Sequence, residues 1–209
     1  MRNIPFEVVA AQHEVIRRFL PRGCHFLQIL TNRRHAEAVD IFLKTSPYDA
    51  MVLLDIDCVP LTDEAIPFML AKAGEGAVVG AAQRANHIDN GGHIYAGPFC
   101  MAVHRRTWVE LGSPSFVETP RGDVGEELTW TAEEKGVPVS LLWPSAVETP
   151  RWPLRGDRVF GTGTTYDSLF WHAFEIRSPH QHQRFIERCA GFLKAPNAAR
   201  ASLPEETRP

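Results

Sequence analysis

Short, nearly continuous apolar runs alternating with helical segments constrain this chain more than any other feature. His25–Leu30 (HFLQIL), the AMVLLDID stretch beginning at Ala50, and Ala77–Ala82 (AVVGAA) each have the length of a buried strand. Before and between them, apolar residues at Phe6, Val9, Ile16, Phe19 and Leu20 predict an amphipathic helix over 6–20 ended by Pro21. His35–Lys44 predicts a second helix, stopped at Ser46-Pro47. A third is expected over Glu64–Ala73, capped by Thr62 or Asp63 and closed by Gly74 and Gly76. Strands this apolar need cover on both faces. The expected fold class is therefore α/β, a mostly parallel central sheet with flanking helices.

From about residue 84 the pattern changes. Asn90-Gly91-Gly92 is turn chemistry, followed by a strand-like stretch through Tyr95–Val103, a helix over Glu126–Lys135 closed by Gly136, and a strand over Val137–Leu142. Residues 144–168 read as loop, punctuated by Pro144, Pro150, Pro153, Gly156, Gly161 and Gly163. The expected organisation is one domain over 1–194, with a first half over 1–83 and a second over 84–194. A disordered tail over 195–209 completes it. A chain of 209 residues supports one buried core rather than two. Val117–Arg121 (VETPR) recurs at Val147–Arg151, but two copies without a longer period make no solenoid.

Charge and composition exclude several classes. A formal net charge of -3 argues against a general nucleic-acid binder. No apolar run is long enough to span a bilayer, and MRNIPFEVVAAQHEVIRR has charges and a proline where a signal peptide needs an apolar stretch. Cys24, Cys58, Cys100 and Cys189 are scattered, with no metal-type spacing, and read as reduced thiols. A cytoplasmic protein is the expectation.

The sharpest chemical signal is Val52-Leu53-Leu54-Asp55-Ile56-Asp57-Cys58-Val59-Pro60, an apolar strand running into two carboxylates one residue apart. If the strand stays extended, Asp55 and Asp57 project to one face at its carboxyl end, where open α/β sheets bind ligands. Paired hard oxygens suit Mn²⁺ or Mg²⁺, whose remaining positions take water and substrate phosphates. The bland alternative is one aspartate capping a turn and the other solvated.

YDAMVLLDIDCVPL resembles the DxD segment of glycosyltransferases with the GT-A, Rossmann-like nucleotide-diphospho-sugar fold. Tyr95-Ala96-Gly97-Pro98-Phe99 through Arg105, Trp108 and Leu111-Gly112 is similar to the acceptor-side segment of family-2-like members. Gly122-Asp123-Val124-Gly125-Glu126-Glu127-Leu128 is similar to their acidic motif. The resemblance covers about residues 48–142 and extends weakly to His172. It implies a divalent cation on Asp55 and Asp57, a nucleotide-diphospho-sugar donor, and a glycan or other hydroxyl acceptor. It also makes the first half the donor and metal half and the second the acceptor half. Such enzymes begin with a strand and loop that bind the base. This chain opens with a helix, so the expected fold is N-terminally abbreviated.

Inverting transfer needs a base for the acceptor hydroxyl, and Asp123, Glu126 and Glu127 are the candidates. Asp123 with Glu126 also reads as a helix capping box. Retention remains open. His172, among aromatic residues, is either a core histidine or, as in many GT-A enzymes, the third metal ligand after a loop, here Gly161-Thr162-Gly163-Thr164. Arg84 and Asn86 are candidate donor-binding residues with His87 beside them, and Trp143, Trp152 and Tyr95 are candidate sugar-stacking rings. Two other readings compete. One is a non-catalytic sugar-nucleotide or glycan-binding domain. The other is a phosphatase of the haloacid dehalogenase type, which needs a lysine that 73–134 lacks.

Overall fold

The computed structural model describes residues 4–29 and 31–195. The expected tail lies, apart from Ala195, outside the described residues. Helices α1 (Phe6–Phe19) and α2 (His35–Thr45) precede the first strand, β1 (Ala50–Leu54). His25–Ile29, expected as a strand, is not one, and Leu30 lies outside the described residues. Then follow β2 (Cys58–Pro60), α3 (Ala65–Gly74), β3 (Val78–Arg84), β4 (Ile94–His104), α4 (Arg105–Glu110) and α5 (Glu126–Glu134). The chain continues through β5 (Val139–Leu142), β6 (Pro144–Pro153), β7 (Val159–Tyr166), β8 (Phe170–His172) and α6 (Pro179–Lys194). Neither Thr62 nor Asp63 caps α3, which starts after Glu64 without a side-chain cap.

Two four-stranded sheets result, β1-β4-β3-β5 and β2-β8-β7-β6. The expectation of a mostly parallel sheet is corrected here. Only β3 and β5 pair in parallel; β1–β4 and β3–β4 are antiparallel, as is every pair in the second sheet. The reason is one inserted strand. β1, β3 and β5 share a direction, but β4 runs against them between β1 and β3. The stretch 144–168 is also corrected, because it forms β6, β7 and the turn into β8.

β4 is where the two layers are coupled. Its register against β3 jumps from Gly80↔Met101 to Ala81↔Gly97, so residues 98–100 leave β3, while Cys100 still pairs with Leu54 of β1. Pro98 has no N–H to give to a ladder, which suits it to such a bulge. Four apolar clusters fill the body, the smallest around Ala82, Leu154 and Phe160. The first packs α2, α4 and α5 against one face of the first sheet, through Leu43, Met101, Trp108, Phe116 and Leu128. The second lies between the sheets around α3, with Met69, Phe99, Tyr166 and Phe170. The third joins α1 and α6 to β2 and β8, through Val15, Phe19, Trp171 and Phe185.

Candidate cation site and adjoining groove

Between β1 and β2 the chain crosses from the first sheet to the second, and Asp55, Ile56 and Asp57 make the crossing. They do so as a turn, closed by Cys58 N–H donating to the Asp55 carbonyl at 3.0 Å. The two aspartates therefore converge through a turn, not through strand alternation. The turn is held from three sides. Asp55 N–H donates to the carbonyl of Phe99 in the β4 bulge (2.9 Å), and Ala173 N–H donates to the Asp57 carbonyl (3.0 Å). From α1, the buried Gln12 amide donates to the carbonyls of Asp55 (2.5 Å) and Cys58 (3.0 Å). Backbone groups at this depth need partners, and one side chain from the opening helix supplies two of those bonds.

Ladder pairing of β2 with β8 sets Cys58 opposite His172. His172 Nε2 then lies 3.2 Å from Asp57 Oδ1, with both side chains about 95% buried. The imidazole is clamped between rings, Phe99 at 4.2 Å and Phe174 at 3.8 Å between centroids. Phe174 and Glu175 both have positive φ (58° and 55°), an unusual conformation for residues with side chains. Ligand atoms of Asp55, Asp57 and His172 all lie within 4.8 Å of one another, a candidate metal site. The sequence-predicted set is thus brought together from β1–β2 and β8. The Gly161–Thr164 segment ahead of it is not a loop; it lies within β7.

Asp55 has a second neighbour that the sequence reading missed. His35, the first residue of α2, places Nε2 3.0 Å from Asp55 Oδ1. Burial pushes the Asp55 carboxyl up, but His35, with His172 and Arg177 adding to it, outweighs this and holds it below its ordinary value. Asp55 in turn raises His35. With 46% and 35% of the two side chains exposed, water screens the pair. Gln12 was more legible. It is the polar member of the stripe Val8, Gln12, Val15, Ile16, Phe19 at helical spacing, and a buried polar residue on an apolar face has a partner to find.

The acidic residues at the start of α5 separate into three environments. Glu126 is fully buried and accepts from Asn90 Nδ2 (2.7 Å) and Asp123 N–H (2.8 Å); His93 Nδ1 lies 2.6 Å from it. That backward reach to Asp123 is the capping-box half of the expectation, although the cap residue itself is Gly125. Gly125 adopts φ 75°, where a Cβ would also come within 3.0 Å of Phe116. Glu127 is bound to Arg121 through Nη2 and through Nε at 3.1 Å, with Thr119 Oγ1 at 3.3 Å. The Arg121 guanidinium holds its carboxyl below the ordinary range. Asp123 accepts from Val124 N–H (2.6 Å) and the Tyr95 hydroxyl (3.1 Å), and His87 Nε2 stands 3.8 Å away. Burial, then the charges of Asp123 and Glu126, push Tyr95 well above its usual value, so it remains a donor. His87 and Asp123 also cluster with Glu118, with ligand atoms within 4.8 Å of one another, on a more exposed surface.

A cavity of about 450 Å³ opens between the end of β3 and the β6 strand, lined by Arg84, Asn86, His87, Asp89, Trp152 and Pro153. Neither Asp55 and Asp57 nor the acids of 123–127 line it, but two of its lining residues lead toward them. At one end His87 reaches toward Asp123. At the other, the Trp152 ring lies 5.7 Å from Phe174, whose opposite contact is His172. Arg84 and Asn86, expected near a donor, are therefore groove residues, as is Trp152. Trp143 packs instead under Arg158, at 4.4 Å.

No protein-family model matches the chain, and no curated protein does. Among solved structures it is similar to a Drosophila β1,4-galactosyltransferase 7 point mutant in complex with manganese, UDP-Gal and xylobiose. The identity is 14%, covering 87% of this chain and 70% of that one, with a TM-score of 0.47. A likeness of that degree assigns no role to any residue here. Among the described residues no helix is long and apolar enough to cross a membrane.

Proposed function

We propose that the chain is a divalent-cation-dependent glycosyltransferase, taking a nucleotide-diphospho-sugar donor and a hydroxyl acceptor. One observation carries the reading: two carboxylates and a buried imidazole meet at a sheet crossing, with their ligand atoms within 4.8 Å of one another. The donor set fits Mn²⁺ or Mg²⁺, two hard oxygens and one nitrogen with room for other ligands. A cation on Asp55, Asp57 and His172 would neutralise charge developing on a leaving diphosphate. The chain's own residues do the rest. Gln12 and Phe99 fix the turn that aims both aspartates, and Phe174 fixes the His172 ring.

Asp123 is the base this arrangement favours, with inversion as its consequence. Glu126 has its carboxylate saturated by Asn90, His93 and the Asp123 amide, and Glu127 is neutralised by Arg121. Asp123 lies 3.8 Å from the groove residue His87 and accepts one bond on each oxygen, from Val124 N–H and from a phenol that stays protonated, which leaves a lone pair on each for the proton of an acceptor hydroxyl.

Thermal stability in the presence of UDP, GDP, CDP and dTDP and their sugar conjugates, with and without Mn²⁺, tests the reading. A nucleotide at 100 times its dissociation constant adds about 2.7 kcal/mol. That is roughly 5–10 °C at about 2–4 °C per kcal/mol. A shift confined to one nucleotide series and dependent on the metal is expected. No metal-dependent shift with any of them would sink the donor assignment.

A further inference from the structure

Arg84 is the feature of the groove that the proposed chemistry does not use. It ends β3, is partly buried and lines the cavity. Among the described residues it has no hydrogen bond, no ion pair and no ring beneath its guanidinium. By contrast, Arg105, Arg121, Arg151, Arg184 and Arg188 are each engaged by an oxygen acceptor elsewhere in the fold. The Arg84 guanidinium lies beside Gly92, where a Cβ would come within 3.1 Å of Cζ, so glycine at φ 73° leaves it that space. Asp89 lines the same cavity but is exposed and makes no ion pair with Arg84. The guanidinium keeps contact with water, so its donors are open to a ligand that enters the cavity, and their planar fork matches carboxylate or phosphate.

We infer that the groove takes an anionic acceptor, a hydroxyl-bearing sugar or sugar-like molecule with a carboxylate or phosphate, and that Arg84 binds that anion. Trp152 gives the flat apolar wall against which a ring lies, and Asn86 and His87 offer polar contacts between Arg84 and Asp123. Arg84 thus selects the acceptor by charge, while Asp123 meets its hydroxyl. The word acceptor rests on the transferase reading; the anion site does not.

The test separates these. The full chain is titrated with glucuronic acid, glucose 6-phosphate and glucose in EDTA without nucleotide, so that neither cation nor donor contributes. At least one anionic sugar is expected to bind about tenfold or more tighter than glucose, the range of a charge-assisted bond. Arg84→Gln should erase that preference, and Arg84→Lys should restore part of it. Each variant's thermal melt and its Mn²⁺ affinity report whether the fold and the cation site survive. Equal binding of the three sugars, no binding of any, or a preference that persists in a folded Arg84→Gln protein overturns the site. If Arg84→Gln instead spares the free sugars and discriminates UDP-glucuronate from UDP-glucose, the anion belongs to the donor and the acceptor assignment is overturned. Failure of the nucleotide screen would leave the EDTA titrations untouched, so the two proposals fail separately.

Discussion

The turn at Asp55–Asp57 and the turn at Asp123–Glu127 carry similar clusters of carboxylates, and the fold treats them in opposite ways. At the first, backbone groups take the structural bonds. Gln12, Phe99 and Ala173 hold main-chain atoms, which leaves both carboxylates directed at His172 and His35. At the second, side chains do the structural work. Glu126 is consumed by a buried network and Glu127 by a surface arginine, while Asp123 lies 3.8 Å from His87, which lines the groove. A count of acids therefore predicts little. What the backbone already has as partners decides which carboxylates remain for a ligand.

The comparison breaks most sharply at the cation end. Asp57→Asn and Asp55→Asn are each expected to abolish Mn²⁺-dependent nucleotide binding. Transfer should fall by about 10²-fold or more, as for removal of an electrostatic stabiliser. Isothermal titration with Mn²⁺ and UDP checks this, and unchanged binding in both variants would dissolve the cation site. Asp123→Asn should lose about 10²–10⁴-fold in transfer, the range for a positioned base, with nucleotide affinity intact. Full activity in that variant would return the base role to Glu126 or Glu127.

Glu126 should show the reverse separation. It is fully buried with three partners, so Glu126→Ala removes the acceptor of the Asp123 amide, the partner of His93 Nδ1 and the shorter of two acceptors of Asn90 Nδ2. Breaking a buried charged network from one side costs about 3–5 kcal/mol. Denaturant unfolding should therefore show a large loss, in contrast to Asp123→Asn, whose stability should stay near that of the parent. A Glu126→Ala protein as stable as the parent would place it with the exposed acids instead.

Much of this was legible in the chain, and the failures have physical causes. Local periodicity located α1, α2, α5, β1, β3 and β4 to within a few residues. It could not see that β4 inserts between β1 and β3, because strand order is set by long-range pairing. The β6–β7 hairpin was hidden by its own prolines and glycines. Pro144, Pro150 and Pro153 are tolerated because β6 is the edge of its sheet. Gly161 is required because a Cβ there would meet the Thr149 carbonyl oxygen at 2.1 Å. In the site, the DxD spacing and His172 were readable as a possible ligand set, but alternation along a strand was the wrong reason for their convergence. His35 gave no signal at all, since nothing local links the start of α2 to a turn twenty residues later.

The smallest effect sharpens the comparison from the other side. Glu127→Gln should leave transfer within about twofold of the parent and remove only a surface pair worth about 1 kcal/mol or less. Its pH dependence is the diagnostic. Arg121 depresses the Glu127 carboxyl below its ordinary 4.5, so the unfolded chain takes up that proton first as pH falls. The pair's contribution is complete above about the ordinary value and is lost as pH falls through the depressed one. The stability difference between parent and Glu127→Gln should thus be constant near neutrality and shrink toward zero in acid. Urea unfolding of both proteins across that range measures it. A difference that grows in acid would mean that Glu127 binds a proton more readily folded than unfolded, as a carboxyl poised for proton transfer would, and would bring it back beside Asp123.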